Sequence, residues 1–377
     1  MKEKLMILLF LLIGITSYQD TMTAYAQTMA EDFEYIIGTG NEEGNDNHEK
    51  YCTITGYKGT QRDIVIPDEI EGKDRIYIDI DHLEGKNKQV RSIHLSKNVC
   101  GIDGEPYPDM DEDIDWSDEG VIGFSYYGYH KHPDLKKITV DEENPNFMSE
   151  DGVLYSKDKT ILYRIPSLKK GKFIVPVSVK NVKSFPENSR ISDFTIGKNV
   201  KLIEFYILGY HKYLKRIRVE KGNKYFVMKD GVLYADHMKT IAGTIHLKGT
   251  YRMPSTVKYV WYSAFAGNDK LEKVILSDHM KYLTSGDFAN CKNLKEIKLG
   301  KNIYGIYEDA FYNTKIRTLI LPPKTNVINL SGNPIKELRT PNKKLRFEDE
   351  DGDFISATSK KGKRYAKRHG LKKLTFI

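Results

Sequence analysis

Residues 271–306 carry the pattern that decides the fold: LEKVILSDHMKYLTSGDFANCKNLKEIKLGKNIYGI. Three apolar residues spaced as apolar-x-x-apolar-x-apolar are followed by further apolar residues four and seven positions after the last of them. Two consecutive copies begin at Leu271 and Leu294, and their apolar positions are Leu271, Val274, Leu276, Met280 and Leu283, then Leu294, Ile297, Leu299, Ile303 and Ile306. A unit this short cannot bury its own apolar side chains, whereas stacked units can, so the pattern predicts a repeat solenoid.

The same pattern recurs along most of the chain. Its last strand position falls at Ile66, Leu95, Val140, Val175, Ile196, Val219, Met253, Leu276, Leu299, Leu321 and Thr340. We expect an α/β or mainly β repeat fold, a single curved right-handed solenoid with a parallel sheet on its concave face and units of about 22–23 residues. An ordinary β-sandwich would not explain the repeated apolar positions after each strand.

Two of the longer units contain the same insertion. Asp151-Gly152-Val153-Leu154-Tyr155 recurs further along the chain, at 230–234, and each copy is followed by a polar turn and by Thr-Ile. Two short β-rich runs around a polar turn predict a β-hairpin, so we expect two hairpins inserted into the solenoid.

These units resemble the BspA-like class of bacterial leucine-rich repeats, whose pattern runs Ala-Phe-x-x-Cys-x-x-Leu-x-x-Ile-x-Leu-Pro. Residues 288–299 fit that pattern, residues 53–72 resemble the first unit of such arrays, and residues 144–155 resemble the hairpin-bearing unit. Residues 362–371 resemble the closing helix and strand. The resemblance covers roughly residues 50–377 and is weakest from 100 to 134. It implies an exported or surface protein used in adhesion or host interaction. It does not imply a catalytic site, and it does not name a ligand.

The first residues predict export. Lys2 and Lys4 precede an apolar run at 5–15, and Ala24-Tyr25-Ala26 provides a small-x-small cleavage signal, so residues 1–26 are expected to be a signal peptide. We further expect an N-terminal segment and cap at 27–67, the repeat solenoid at 68–347 with an acidic insertion at 103–119, and a basic C-terminal cap at 348–377. No second long apolar run follows, so the mature protein is not expected to span a membrane. Its expected location is extracellular, secreted or associated with the bacterial cell surface.

Charge is distributed unevenly along the chain. Residues 27–150 contain 12 Lys and Arg against 29 Asp and Glu, whereas residues 151–377 contain 45 against 21. The net charges of −17 and +24 predict that the C-terminal two-thirds is attracted to anionic surfaces, in a way that salt screens.

The residues flanking the middle apolar position of each strand point away from the core, because side chains alternate along a strand. This row leans basic. We take as the candidate binding site its cationic members, Lys137, Lys172, Arg216, Arg218, Arg252, Lys273, Lys298 and Arg339. Two interpretations stay open: the row binds an anionic partner, or it is a solvated face without a ligand.

Aromatic clusters are a second candidate surface. They are formed by Tyr126, Tyr127 and Tyr129, by Tyr206, Tyr210 and Tyr213, and by Tyr259, Trp261 and Tyr262. Such rings stack on sugars or anchor a protein partner when they are exposed, whereas the repeat phase favours partial burial.

Metal and thiol chemistry find little support. Alternating aspartates at 109–115 and the acidic run 348–353 suggest calcium, yet neither matches an EF-hand loop, and solvated loops explain both. Cys52, Cys100 and Cys291 are too few for a disulfide framework; a Cys52–Cys100 bridge and small buried apolar residues are the two alternatives. The basic terminus suggests a capping helix, with affinity for an anionic wall as a by-product. We expect no cofactor and no metal.

The function predicted from these features is binding. We expect a secreted or cell-surface protein that binds extracellular protein or anionic polysaccharide, without catalysis and without specific nucleic-acid recognition. One alternative is an extracellular enzyme, or enzyme partner, acting on polysaccharide; another is a structural protein held electrostatically on an anionic cell wall. The oligomeric state is not predicted.

Overall fold

The computed structural model describes residues 28–39, 50–80, 83, 90–102, 134–184, 189–203, 208 and 211–377. The predicted signal peptide and the acidic insertion 103–119 lie outside the described residues. The chain divides into two compact units, residues 1–169 and residues 170–377. Their boundary falls inside the range 68–347 that the sequence suggested as one array.

The first unit opens with a short 3-10 helix, Ala30–Asp32. The described residues of this unit contain ten strands, β1 to β10 in chain order: Phe33–Thr39, Lys50–Tyr57, Asp63–Val65, Ile76–Ile78, Ser92–Leu95, Val99–Ile102, Lys137–Val140, Phe147–Glu150, Val153–Ser156 and Ile161–Arg164. Strands β3, β5 and β7 form one parallel sheet. Strands β2, β4 and β6 form a second parallel ladder, which β1 extends antiparallel.

The second unit has twenty strands and one helix among its described residues. Strands β11 to β30 are Lys170–Ile174, Asn181–Val182, Arg190–Ile196, Leu202–Ile203, Arg216–Val219, Phe226–Lys229, Val232–Ala235, Thr240–Thr244, Lys248–Arg252, Tyr259–Val260, Lys270–Ile275, Tyr282–Leu283, Glu296–Lys298, Gly305–Ile306, Thr318–Ile320, Val327–Ile328, Glu337–Thr340, Arg346–Glu348, Phe354–Ser356 and Lys373–Phe376; helix α1 is Lys360–Arg368. Three parallel sheets are formed by its longer strands: β11-β13-β15, β19-β21-β23 and β25-β27-β30.

Many coils also contribute a second, shorter strand. The apolar residue seven positions after the main strand lies in it: Leu283 of β22 is in register with Ile306 of β24, and Ile306 with Ile328 of β26. Stacked parallel strands therefore confirm the predicted repeat solenoid, and they add a second ladder that the one-sheet expectation did not contain. A two-residue strand shows no alternation in sequence, which is why it was missed.

The core is a stack of equivalent side chains. Phe265, Phe288 and Phe311, one from each of three successive repeats, are fully buried and stack with ring centroids 4.8 and 6.1 Å apart. Cys291 is buried in the same coils, where its Sγ lies 3.1 Å from the carbonyl oxygen of Phe265. Cys52, Cys100 and Cys291 are all free thiols, so the Cys52–Cys100 bridge is not formed.

Two asparagines join successive coils. The Asn144 Nδ2 donates to the carbonyls of Ser96 and Val99 at 2.8 and 3.0 Å, while its Oδ1 accepts from two backbone amides at 2.8 Å. Asn223, at the equivalent position of the second unit, makes the same four bonds there. In each side chain both N–H donors and the oxygen are used, which for Asn144 offsets the cost of full burial.

Each insertion is a three-stranded antiparallel meander. Strands β8, β9 and β10 form the first, and β16, β17 and β18 the second. The predicted hairpins around the polar turns are confirmed as β9–β10 and β17–β18. The preceding Asp-Gly pairs form separate turns, which connect β8 to β9 and β16 to β17. Asp151 and Gly152 have φ of 50° and 76°, and Asp230 and Gly231 have 49° and 81°. Left-handed conformations at both positions are those of a type I′ hairpin turn, which Asp-Gly favours.

Helix α1 and β30 close the second unit. Ser359 caps the helix by accepting from the amide of Gly362 at 2.9 Å, and buried Tyr365 donates to the carbonyl of Glu348 at 2.9 Å. Strand β30 extends the sheet beyond β27. No helix in the described part of the chain is long and apolar enough to cross a membrane.

Candidate functional site on the strand face

The exposed side of the longer strands, here called the strand face, carries the candidate binding residues. Parallel register aligns their side chains into rows running across the coils. In the sheet β11-β13-β15 one row is Lys172, Asp193 and Arg216, and the other is Ile174, Thr195 and Arg218. The alternation predicted from sequence is thus the alternation that the strands show.

Asp193 organises the two arginines of this sheet. Its Oδ2 lies 3.1 Å from a terminal guanidinium nitrogen of Arg216 and 3.1 Å from that of Arg218. The Asp193 side chain is only 8% exposed, whereas those of Arg216 and Arg218 are 66% and 44% exposed. Each guanidinium has five N–H donors, so most of them remain directed away from Asp193. We call this trio the arginine fork.

The fork retains positive charge. One carboxylate is shared between two guanidinium groups, and Lys172 lies next to Asp193 in the same row. A buried carboxylate requires one compensating positive charge. Two arginines and a neighbouring lysine provide three, so two positive charges remain. The surplus donors are exposed and already oriented, which is the arrangement that suits a carboxylate, sulfate or phosphate group.

Some of the other predicted binding residues form ion pairs and some do not. Lys273 pairs with Glu296 at 2.5 Å, and Arg339 with Glu337 at 3.1 Å. The first pair joins β21 to β23 and the second lies on β27, and in each pair the two charges largely neutralise one another. The members that make no ion pair with any described residue are Lys172, Arg252 and Lys298. Lys137 lies on β7 in the first unit and is exposed.

Aliphatic side chains interrupt the strand face. Ile174 is 50% exposed and Ile320 is 60% exposed. Ile320 is in register with Arg339, and Ile275 lies between Arg252 and Lys298 in one row. Exposed apolar groups beside cations give a ligand both contact area and charge.

The aromatic residues form a surface on the shorter strands. Tyr259 and Tyr262 are exposed, while Trp261 packs partly against the core. Residues 126–129, 206 and 210 lie outside the described residues. The sequence reasoning missed the ring cluster of Tyr282, whose centroid lies 6.0 Å from that of Tyr304 and 6.2 Å from that of Tyr307. The available signal was the recurrence of tyrosine in or beside the short strand of consecutive repeats, at Tyr259, Tyr282 and Tyr304.

Carboxylates of the acidic run 348–353 hold the closing helix. Asp349 accepts from the amide of Asp353 at 2.9 Å and pairs with Lys361 at 3.4 Å, and Glu350 pairs with Arg368 and His369 at 2.7 and 3.0 Å. Within the described ranges no group of three or more His, Cys, Asp or Glu side chains is placed to hold a metal ion.

Thiol chemistry is suppressed by burial. Burial raises the pKa of the Cys291 thiol to about 12 and that of Cys52 to about 11. Both are therefore protonated at neutral pH, and a thiol rather than a thiolate is a poor nucleophile.

Comparison with known proteins agrees with the repeat. Residues 237–332 match the model of the BspA type leucine rich repeat region in six copies. No curated protein matches the sequence.

Among solved structures, the chain is similar to a leucine rich cell surface protein from Faecalibacterium prausnitzii A2-165, at 14% identity over 93% of this chain and 95% of that one, with a TM-score of 0.46. It is also similar to the pneumococcal vaccine antigen PcpA, at 16% identity over 93% and 98%, with a TM-score of 0.44. A leucine-rich repeat protein from Eubacterium ventriosum ATCC 27560 aligns at 16% identity over 76% and 90%, with a TM-score of 0.34. The stacked coils show that the chain is a repeat β-solenoid, and its residues 237–332 match the BspA type leucine rich repeat region.

Proposed function

We propose that the protein is an extracellular binding protein, not an enzyme, and that an anionic macromolecule docks on its strand face. A repeat scaffold suits this role because stacked coils present an extended surface of regularly spaced side chains. The extracellular setting rests on the export signal predicted for residues 1–26.

The arginine fork is the observation that carries this proposal. Surface arginines normally lose rotamer freedom when they bind, at a cost of up to about 2 kcal/mol each. Asp193 restrains both side chains before the ligand arrives, so less of that cost is left for binding. Asp193 is buried and uses only part of each guanidinium, so the remaining donors of the exposed Arg216 and Arg218 side chains are available to a ligand.

The ligand is a macromolecule with carboxylate or sulfate groups, as found on acidic polysaccharides and on acidic protein surfaces. Exposed Ile174 in the second row of the same sheet would contact its apolar parts. Lys172 widens the charged area across the three strands.

An array of glycans and extracellular-matrix proteins, probed at two salt concentrations, tests the proposal. We expect wild type to bind one or more anionic ligands, and the R216E/R218E variant to bind them at least about a hundredfold more weakly, since interface arginines often contribute about 2 kcal/mol or more each. The K221E/K224E variant, which makes the same charge change at exposed positions between β15 and β16, should stay within about threefold of wild type. Equal losses in both variants, or no loss in low salt, would contradict the proposal.

A further inference from the structure

The cations of the closing helix and of the residues that follow it differ in their ion pairs. Lys361 and Arg368 pair with the carboxylates of Asp349 and Glu350, and the His369 ring lies 3.0 Å from Glu350. In contrast, Lys363, Lys367 and Lys372 are exposed and make no ion pair with any described residue. The acidic run therefore pairs with Lys361 and Arg368 of α1 and not with Lys363 and Lys367 of the same helix.

The unpaired lysines surround a cleft. Its lining includes Lys363 and Lys367 of α1, Lys372 and Lys373 at the start of β30, and an apolar floor containing Ala366 and Leu374. Lys373 also lies 3.7 Å from Glu337, which Arg339 contacts more closely at 3.1 Å. Of these four lysines, only Lys373 therefore has a carboxylate partner among the described residues, and it shares that carboxylate with Arg339.

This clustering is unfavourable for the protein alone. Like charges around a common cleft repel one another, and salt screens that repulsion only beyond roughly 8–10 Å. Lys336 is a further cation nearby, because its carbonyl oxygen accepts from the backbone amides of Lys372 and Lys373 at 2.8 and 3.1 Å. A polyanion in the cleft removes this repulsion.

The volume of the cleft and the type of its cations restrict which ligands it can bind. The cleft volume is about 190 Å³, on the order of six water molecules and below the roughly 300 Å³ of a typical small-molecule site. It accommodates one unit of a polymer. All four cations are lysines, which bind phosphate as point charges, whereas the planar guanidinium of arginine holds its donors in a fixed geometry. The apolar floor can contact a carbon backbone.

We propose that this cleft binds a phosphodiester-linked polyol polymer, the chemistry of an anionic cell-wall polymer, one phosphate and polyol unit at a time. The site lies apart from Arg216 and Arg218 and does not rest on the function proposed for the strand face. It would hold the protein on a wall while the strand face remains available to another ligand.

Equilibrium binding of the full chain to purified poly(glycerol phosphate) in low salt tests this inference. We expect the K363Q/K367Q/K372Q variant to bind at least about tenfold more weakly than wild type, since three of the four attracting charges are removed. The control K229Q/K258Q/K292Q makes the same change in net charge at exposed lysines elsewhere in the second unit and should stay within about twofold. Melting temperatures of both variants confirm that they fold.

Three results would overturn it: no binding by wild type, equal weakening in the two triple variants, or tighter binding of duplex DNA or heparin than of poly(glycerol phosphate). Either of the first two results would show that the cleft is not a binding site for this polymer. The third would show that it binds a different polyanion. None of them bears on the array result for the R216E/R218E variant, so the two proposals fail separately.

Discussion

At the scale of single residues, Asp287 is the clearest case of a polar group held in the core. Its carboxyl is buried and accepts from the amide and the hydroxyl of Thr284 at 2.8 and 3.0 Å. Burial raises its pKa from 3.8 to about 7, against the lowering effect of those hydrogen bonds. The folded protein therefore keeps a proton on Asp287 at pH values where the unfolded chain has released it.

The consequence is a pH dependence of stability with a defined sign. Because the folded pKa is raised, the contribution of Asp287 is most favourable below pH 4 and is lost as pH rises towards 7. Replacing it in the D287N variant should leave stability near pH 4 almost unchanged and raise the unfolding free energy at pH 8 by a few kcal/mol, about 1.4 per pKa unit. Melting temperatures of wild type and variant from pH 4 to 8 measure this; parallel curves would contradict it.

Residue-scale contacts explain what the sequence could and could not predict about the site. The alternation of strand residues placed Arg216 and Arg218 on the exposed face, and the strands of the structure do so as well. Asp193 lies one coil before Arg216, but a position in the repeat does not show which side chain will be buried or shared. Contacts across coils depend on register and rotamer, which the sequence pattern leaves open.

At the scale of elements, the Asp-Gly turns fix the two meanders to their coils. Gly152 and Gly231 have left-handed φ, and an added Cβ would lie 2.9 Å from the Lys137 Cβ and 2.7 Å from the Ile245 carbonyl oxygen. Gly171 has φ of +82° with nothing within 4 Å of such a Cβ. The three glycines thus share backbone conformation and differ in surroundings.

Alanine at these positions separates the two effects. The G171A variant should lose about 1–2 kcal/mol, the cost of a left-handed L-residue. The G152A and G231A variants should lose about 1–3 kcal/mol more, because a neighbour must also move. Chemical denaturation of all three variants checks the order, and a G171A loss as large as the other two would show that the close contacts relax without cost.

The longer strands could be predicted from the sequence, whereas the two-residue strands could not. The main strands and the second strand pair of each meander were predictable, since apolar spacing and polar turns are local signals. The shorter ladder was not predictable because β20, β22, β24 and β26 have two residues each and are defined only by pairing between coils. The tyrosine cluster on that ladder was missed with it.

At the scale of the whole molecule, the sequence predicted a repeat solenoid and the stacked parallel strands establish it. The uneven charge, −17 over residues 27–150 and +24 over residues 151–377, places the arginine fork and the lysine cleft in the basic part of the chain. General attraction to anions would follow from that charge alone. The strand-face proposal makes a stronger claim, that pre-oriented side chains rather than net charge determine affinity.

The D193N variant tests that claim most directly, by its affinity for an anionic array ligand in low salt, with melting temperature as the folding control. The substitution raises the net charge by one, so attraction by net charge predicts tighter binding. Loss of the carboxylate frees Arg216 and Arg218 to sample other rotamers, so pre-orientation predicts binding weaker by about fivefold or more. Weaker binding is the result we expect, and binding equal to or tighter than wild type would contradict the role of the arginine fork.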